Sequence, residues 1–150
     1  MPSVITSYVY TFAALVAVSA LLIFSVNSYA YSLRAASEQD QLQSLVTGLA
    51  AKANEILTLI ETTNASLTVN LNMPTTIGDQ YYWLRISNDS SKACVEGALG
   101  EFRQDAAGFQ VYIPSHAIMS GYFISANGIA TLHGYMNTST IQLNLASIGE

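Results

Sequence analysis

Ten carboxylates, two histidines and one cysteine are the groups in this 150-residue chain from which an acid–base or metal site can be built. After residue 62 the carboxylates are Asp79, Asp89, Glu96, Glu101, Asp105 and Glu150. No paired spacing among them singles out an acid and a base. His116 and His133 lie far apart in sequence, and neither has ligand-like spacing to a cysteine or carboxylate. Cys94 stands alone, which rules out an intrachain disulfide, and reads as a small buried apolar residue. Neither a nucleophile elbow nor a phosphate-cradling glycine loop occurs. The densest charge, EGALGEFRQD from Glu96 to Asp105, reads as a solvated loop. The expectation is therefore no catalysis, no metal and no cofactor. The covalent chemistry that the sequence does offer lies in three sequons: Asn64-Ala65-Ser66, Asn88-Asp89-Ser90 and Asn137-Thr138-Ser139. Each is a candidate N-glycan acceptor on an extracellular surface. Asn88 and Asn137 read as turn residues, and Asn64 sits near a helix junction.

The composition limits what can carry these sites. Hydrophobic residues make up 51% of the chain and charged residues only 10%, against roughly 25% charged in ordinary soluble chains. Ser, Thr, Asn and Gln supply the polar surface instead, 45 residues against 15 charged ones. Such a surface is expected to change little between strong acid and neutral pH. A net charge of −5 raises no field that would attract nucleic acid.

The stretch from Val4 to Ile60 organises the rest and reads as one helix in two halves. The first 33 residues contain no Asp, Glu, Lys or Arg, and Tyr8 to Val26 is almost wholly apolar. About 20 such residues span a bilayer. A cleaved secretory signal, with Ser28-Tyr29-Ala30 as a small-x-small site, lacks the basic n-region that signals carry. A plain membrane anchor fits the hydropathy, although Arg34 is the only nearby cation to orient it. A third reading is a helix that first sits in a membrane and then packs against copies of itself. Two features favour it. The uncharged run continues past bilayer length to Leu33, and roughly 30 helical residues reach about 45 Å. Small residues also recur at Ala13, Ala17 and Ala20, beside Ser19, and let helix backbones approach closely. The face expected to assemble comprises Phe12, Ala13, Val16, Ala17, Ala20, Leu21 and Phe24.

From Leu42 the apolar residues narrow to a stripe. Leu42, Leu45, Val46, Leu49, Ala53, Ile56, Leu57 and Ile60 follow the i, i+3, i+4, i+7 spacing of an amphipathic helix. No proline interrupts Ser3 to Met73, although Gly48 weakens the propensity. The stripe needs a cover, and the C-terminal part of the chain is the expected one. Thr62-Thr63-Asn64 should end the helix. The period then switches to two. Strands are expected at Leu67–Met73, Tyr81–Ser87, weakly at Cys94–Val95, at Phe109–Ile113, Ala117–Ile124, Ile129–Met136 and Ile141–Leu145. The expected class is α+β: a long N-terminal helix (residues 1–63) that forms a core and a stem, then an antiparallel, immunoglobulin-like sandwich head (residues 64–150). Residues 106–149 carry no Asp, Glu, Lys or Arg. Sheet edges are normally guarded by charge, so these strands either hide their edges or use them against neighbours.

An uncharged helix, an amphipathic continuation and a β head together resemble the archaeal type IV pilin and archaellin superfamily. The segment LTVNLNMPTTIGDQYYWLRI is similar to a recurring archaeal pilin pattern: an alternating strand (Leu67–Met73), Pro74, a turn ending Ile77-Gly78, and an aromatic strand (Tyr81–Ile86). Bacterial members place a glutamate at the fifth mature position, where this chain has Ile5. The resemblance implies an extracellular pilus subunit for surface adhesion, a homopolymer with bundled helices inside and β heads as the sheath. It also implies membrane insertion before assembly, a prepilin peptidase and assembly machinery as partners, Met1 as the first mature residue, and no requirement for nucleic acid. Two other readings stay open: an archaellin of a motility filament, and a membrane-anchored binding protein like those of the archaellum stator.

Overall fold

The computed structural model describes residues 2–89, 92–103 and 108–148, with side chains for 7–89, 92–103 and 108–147. Helix α1 (Pro2–Thr63) is followed by seven strands: β1 (Leu67–Leu71), β2 (Tyr82–Asp89), β3 (Lys92–Leu99), β4 (Phe109–Ile113), β5 (Ile118–Ile124), β6 (Ile129–Asn137) and β7 (Thr140–Ile148). The class is α+β, a long helix and a mostly antiparallel β head. The chain divides into two compact units, Met1–Ser37 and Glu38–Glu150. The boundary falls inside α1, because the helix from Leu42 onward belongs to the core of the strands.

In the first unit, every described side chain from Ser7 to Ser37 is exposed. No charged residue occurs before Arg34, and from Tyr8 to Phe24, where Thr11 and Ser19 alone interrupt the aliphatic and aromatic residues, α1 is apolar around its circumference.

In the second unit, α1 ends where its side chains begin to compete for backbone carbonyls. Thr62 and Thr63 donate to the carbonyls of Thr58 (3.0 Å) and Leu59 (2.6 Å). Asn64 turns left-handed at φ 53° and returns its N–H to the Ile60 carbonyl at 2.8 Å. That is a left-handed C-terminal cap, a conformation asparagine tolerates better than most residues.

The strands join in the order β1-β6-β7-β5-β2-β3-β4. All pairs are antiparallel except β5–β7. Strand β5 splices the head together. Its first half, Ile118–Gly121, pairs with β7, and its second half, Tyr122–Ile124, pairs with β2. Gly121 lies at the changeover with φ 112°. A Cβ at this position would run into the Leu145 carbonyl, so both the left-handed backbone and the close approach require glycine. Strands that change sheet at a bend are a known device for turning a corner between two leaves.

Both leaves press on the stem. On β3, Gly97 leaves room for Val46, whose Cγ2 would be 2.9 Å from an added Cβ. On β6, Gly134 does the same for Ile60 and Ile56. The stem's apolar stripe thus shares one core with Tyr82, Leu84 and Ile86 of β2, Phe123 of β5, Leu132 of β6, and Leu143 and Leu145 of β7. Tyr82 sits fully buried in it and donates its phenol to the Pro74 carbonyl at 2.6 Å.

The other face of β2 carries Trp83, Arg85 and Ser87. Trp83 is buried under Phe102, edge-on at 5.2 Å, and Phe102 in turn stacks on Tyr122 at 4.9 Å. Arg85 pairs with Glu96, and Ser87 contacts the buried Cys94 at 3.2 Å. The expected solvated loop at Glu96–Asp105 is corrected here. Glu96–Leu99 belong to β3 and Phe102 roofs the tryptophan, while residues 104–107 lie outside the described residues. The weak third strand lengthens to eight residues, since Ala93, Val95 and Gly97 face the core even though Glu96 breaks the apolar pattern. The charge-free C-terminal strands also find an explanation. β6 and β7 each lie between two strands, β5 pairs with β7 along its first half and β2 along its second, and among the described strands after residue 106 β4 alone ends the strand order.

Candidate assembly surface and modification sites

The residues that could do something beyond hold the fold are of two kinds: apolar side chains with no cover, and asparagines with a free amide. The first kind lies in Met1–Ser37. Phe12 (69% exposed), Val16, Leu21 and Phe24 (73%) stand open, as do Ala13, Ala17 and Ala20. Tyr8, Leu15, Leu22, Ile23, Tyr29 and Leu33 are exposed as well. The apolar surface therefore encircles the helix and is not confined to the face expected from the small residues. Contiguous apolar surface beyond a few hundred Å² marks a site of contact with protein or membrane. This helix is long and apolar enough to cross a bilayer, with a mean hydropathy of 2.3 over its best window and none of that window buried.

The stem residues behave in the opposite way. Leu42, Val46, Leu49, Ala53, Ile56, Leu57 and Ile60 are buried, Val46, Ala53 and Ile60 completely, and Leu45 is half-buried. Ala50 is buried too. It lies four residues after Val46 and three before Ala53, so it belongs to the same helical stripe, where its small side chain contributes little to the hydropathy pattern. Ile77, in the turn after Pro74, is buried although no strand pattern announces it. The turn is closed by paired hydrogen bonds between Ile77 and Gln80, with Gly78 at φ 58°.

The three sequons fall in three different settings. Asn137 ends β6 at the mouth of the β6–β7 hairpin, opposite Thr140. It is exposed, and its Oδ1 accepts from the Thr138 hydroxyl at 3.3 Å. Asn64 caps α1 and is exposed, and the Ser66 hydroxyl of its sequon lies 3.4 Å from His133 Nε2. Asn88 is not in a turn, contrary to expectation. It lies in β2, one residue before the strand's end. Its Nδ2 donates to the Ala117 carbonyl at 2.8 Å, and its Oδ1 accepts from the Met119 N–H at 2.5 Å. Direct β2–β5 pairing stops at Arg85–Tyr122, because β5 has turned towards β7. Continued in the same register, Asn88 would face Met119. Its side chain thus replaces the backbone ladder across the gap that Gly121 opens. Only a residue with one donor and one acceptor on a short stem can do this.

No group of three His, Cys, Asp or Glu side chains suited to a metal ion occurs among the described residues. Burial raises the Tyr82 phenol to a pKa of about 12, so it remains a neutral hydrogen-bond donor across the physiological range. No protein-family model, curated protein or solved structure matches this chain.

Proposed function

We propose that this chain is the structural subunit of an extracellular filament of the archaeal type IV pilus kind, with a role in surface adhesion. The observation that carries the reading is a contrast within one helix. The stem's stripe is covered by the chain's own strands, whereas Ser7–Ser37 has no cover at all. An all-round apolar helix is stable only inside lipid or inside protein. In the proposed filament the helix passes from a membrane into a bundle of identical helices, and small residues such as Ala13, Ala17 and Ala20 permit close contact. The units that begin at Glu38 form the outer layer. No catalysis or cofactor enters this role. Leader removal by a prepilin peptidase and export by pilus machinery belong to the same reading.

Electron cryo-microscopy of native particles tests it. The expected image is a helical array with parallel α-helices along the axis. Single molecules retained in membrane, with no polymer, would overturn it in favour of a membrane-anchored binding protein. A filament whose rotation drives swimming would assign the chain to the archaellins instead.

A further inference from the structure

The three sequons are equivalent as sequence but not as chemistry. N-glycan transfer joins the asparagine Nδ2 to the anomeric carbon of a glycosyl phosphate donor. The anomeric C–O bond breaks and its electron pair leaves on the phosphate, while a proton passes from Nδ2 to a base of the transferase. The amide nitrogen must therefore be free of other partners, and the Asn-x-Ser segment must be accessible as a loop.

Asn88 is exposed but fails on the first count. Its Nδ2 is committed to the Ala117 carbonyl and its Oδ1 to the Met119 N–H. Removing it from these partners would open the seam where β5 leaves β2. It also lies inside a paired strand, opposite Ala93 of β3. Asn137 has an uncommitted amide nitrogen, and although it is the last paired residue of β6, opposite Thr140, the Thr138-Ser139 part of its sequon forms the hairpin turn. It is exposed at a hairpin end, and no hydrogen bond engages its Nδ2 among the described residues. Thr138 at φ 59° turns the chain tightly there, and the Ser139 side chain is exposed. Asn64 is exposed, but its sequon's hydroxyl already faces His133.

We propose that Asn137 is an N-glycan acceptor and that Asn88, despite its sequon, is a structural clamp that is never modified. This rests on the extracellular placement argued above. Peptide mapping by mass spectrometry of the full chain, purified from its native cells, tests it. A glycan mass is expected on the Asn137 peptide and none on the Asn88 peptide. The Asn137→Gln variant should lose that mass and keep its melting temperature. Asn88→Asp, which removes the donated hydrogen bond and sets a carboxylate against a carbonyl, should lower the melting temperature and leave the Asn137 glycan in place. A glycan on Asn88, or a bare Asn137 in the native protein, overturns the inference. A bare Asn137 on particles that still form filaments sinks this proposal alone, whereas the absence of filaments sinks the functional reading.

Discussion

Residues Ser7–Ser37 and residues Leu42–Ile60 belong to one uninterrupted helix, yet they solve the problem of apolar surface in opposite ways. The second stretch concentrates its apolar residues on one stripe, and the strands cover that stripe. The first, from Tyr8 to Phe24, has apolar residues on every side, so no single sheet can cover it. A stripe can be sheltered within the chain, but a fully apolar cylinder needs a surrounding medium or several neighbours. The difference shows that arrangement, more than amount, of hydrophobicity decides whether a helix is covered by its own chain.

The sharpest way to break this comparison is one carboxylate in each half. Ala17→Glu should abolish assembly, because a charge in a water-free helix bundle costs several kcal/mol. The melting temperature of the unit from Glu38 onward should not move. Normal filaments seen by microscopy would refute the buried bundle. Leu49→Asp should do the reverse and destabilise the β head by about 3–5 kcal/mol, the scale of an uncompensated buried charge. Denaturant unfolding measures it, and an unchanged midpoint would mean that the stripe faces something else.

Alkaline titration probes the shared core. The Tyr82 phenol, held neutral by burial, has its pKa raised to about 12, while in the unfolded chain it ionises near the usual value of about 10. Its contribution to stability is whole below pH 10 and is lost as pH rises from about 10 to about 12. Tyr82→Phe should flatten that part of the alkaline profile while costing about 1 kcal/mol at neutral pH through the lost bond to Pro74. Equal alkaline slopes for the two proteins in thermal melts would contradict the assignment.

Two glycines refine the picture at smaller scale. Gly134→Ala would drive a methyl group against Ile60 and Leu143 and should cost about 1–3 kcal/mol as overpacking. Gly48→Ala meets nothing within 4 Å and should gain about 0.5–1 kcal/mol through helix propensity. A destabilised Gly48→Ala monomer would show that the exposed side of the stem is also confined by its own chain.

Much of the architecture could be read along the chain because it follows local periodicity. The stem stripe has helical spacing, and Leu67, Val69 and Leu71 alternate with exposed Thr68 and Asn70, as the half-buried pattern of β1 shows. Legibility fails where a residue's role depends on a distant partner. Glu96 signalled solvent, but across the sheet it meets Arg85, which lets a charge sit inside a strand. Phe102, next to charged neighbours, gave no sign that it roofs Trp83. Asn88 carried a modification motif, and nothing nearby in sequence showed that its amide would be claimed by residues 29 and 31 positions later.

The order of residues by itself determined which segments are helix, which are strand, and which half of the helix is left without polar relief. Those properties come from patterns repeating over two to seven residues, which the backbone geometry reads locally. Only the tertiary structure decided that β5 divides its pairing at Gly121, that β5 and β7 run parallel, and that one of three identical motifs becomes a clamp. Hydrogen-bond partners across a sheet are fixed by register between segments far apart in the chain, and no local pattern encodes that register.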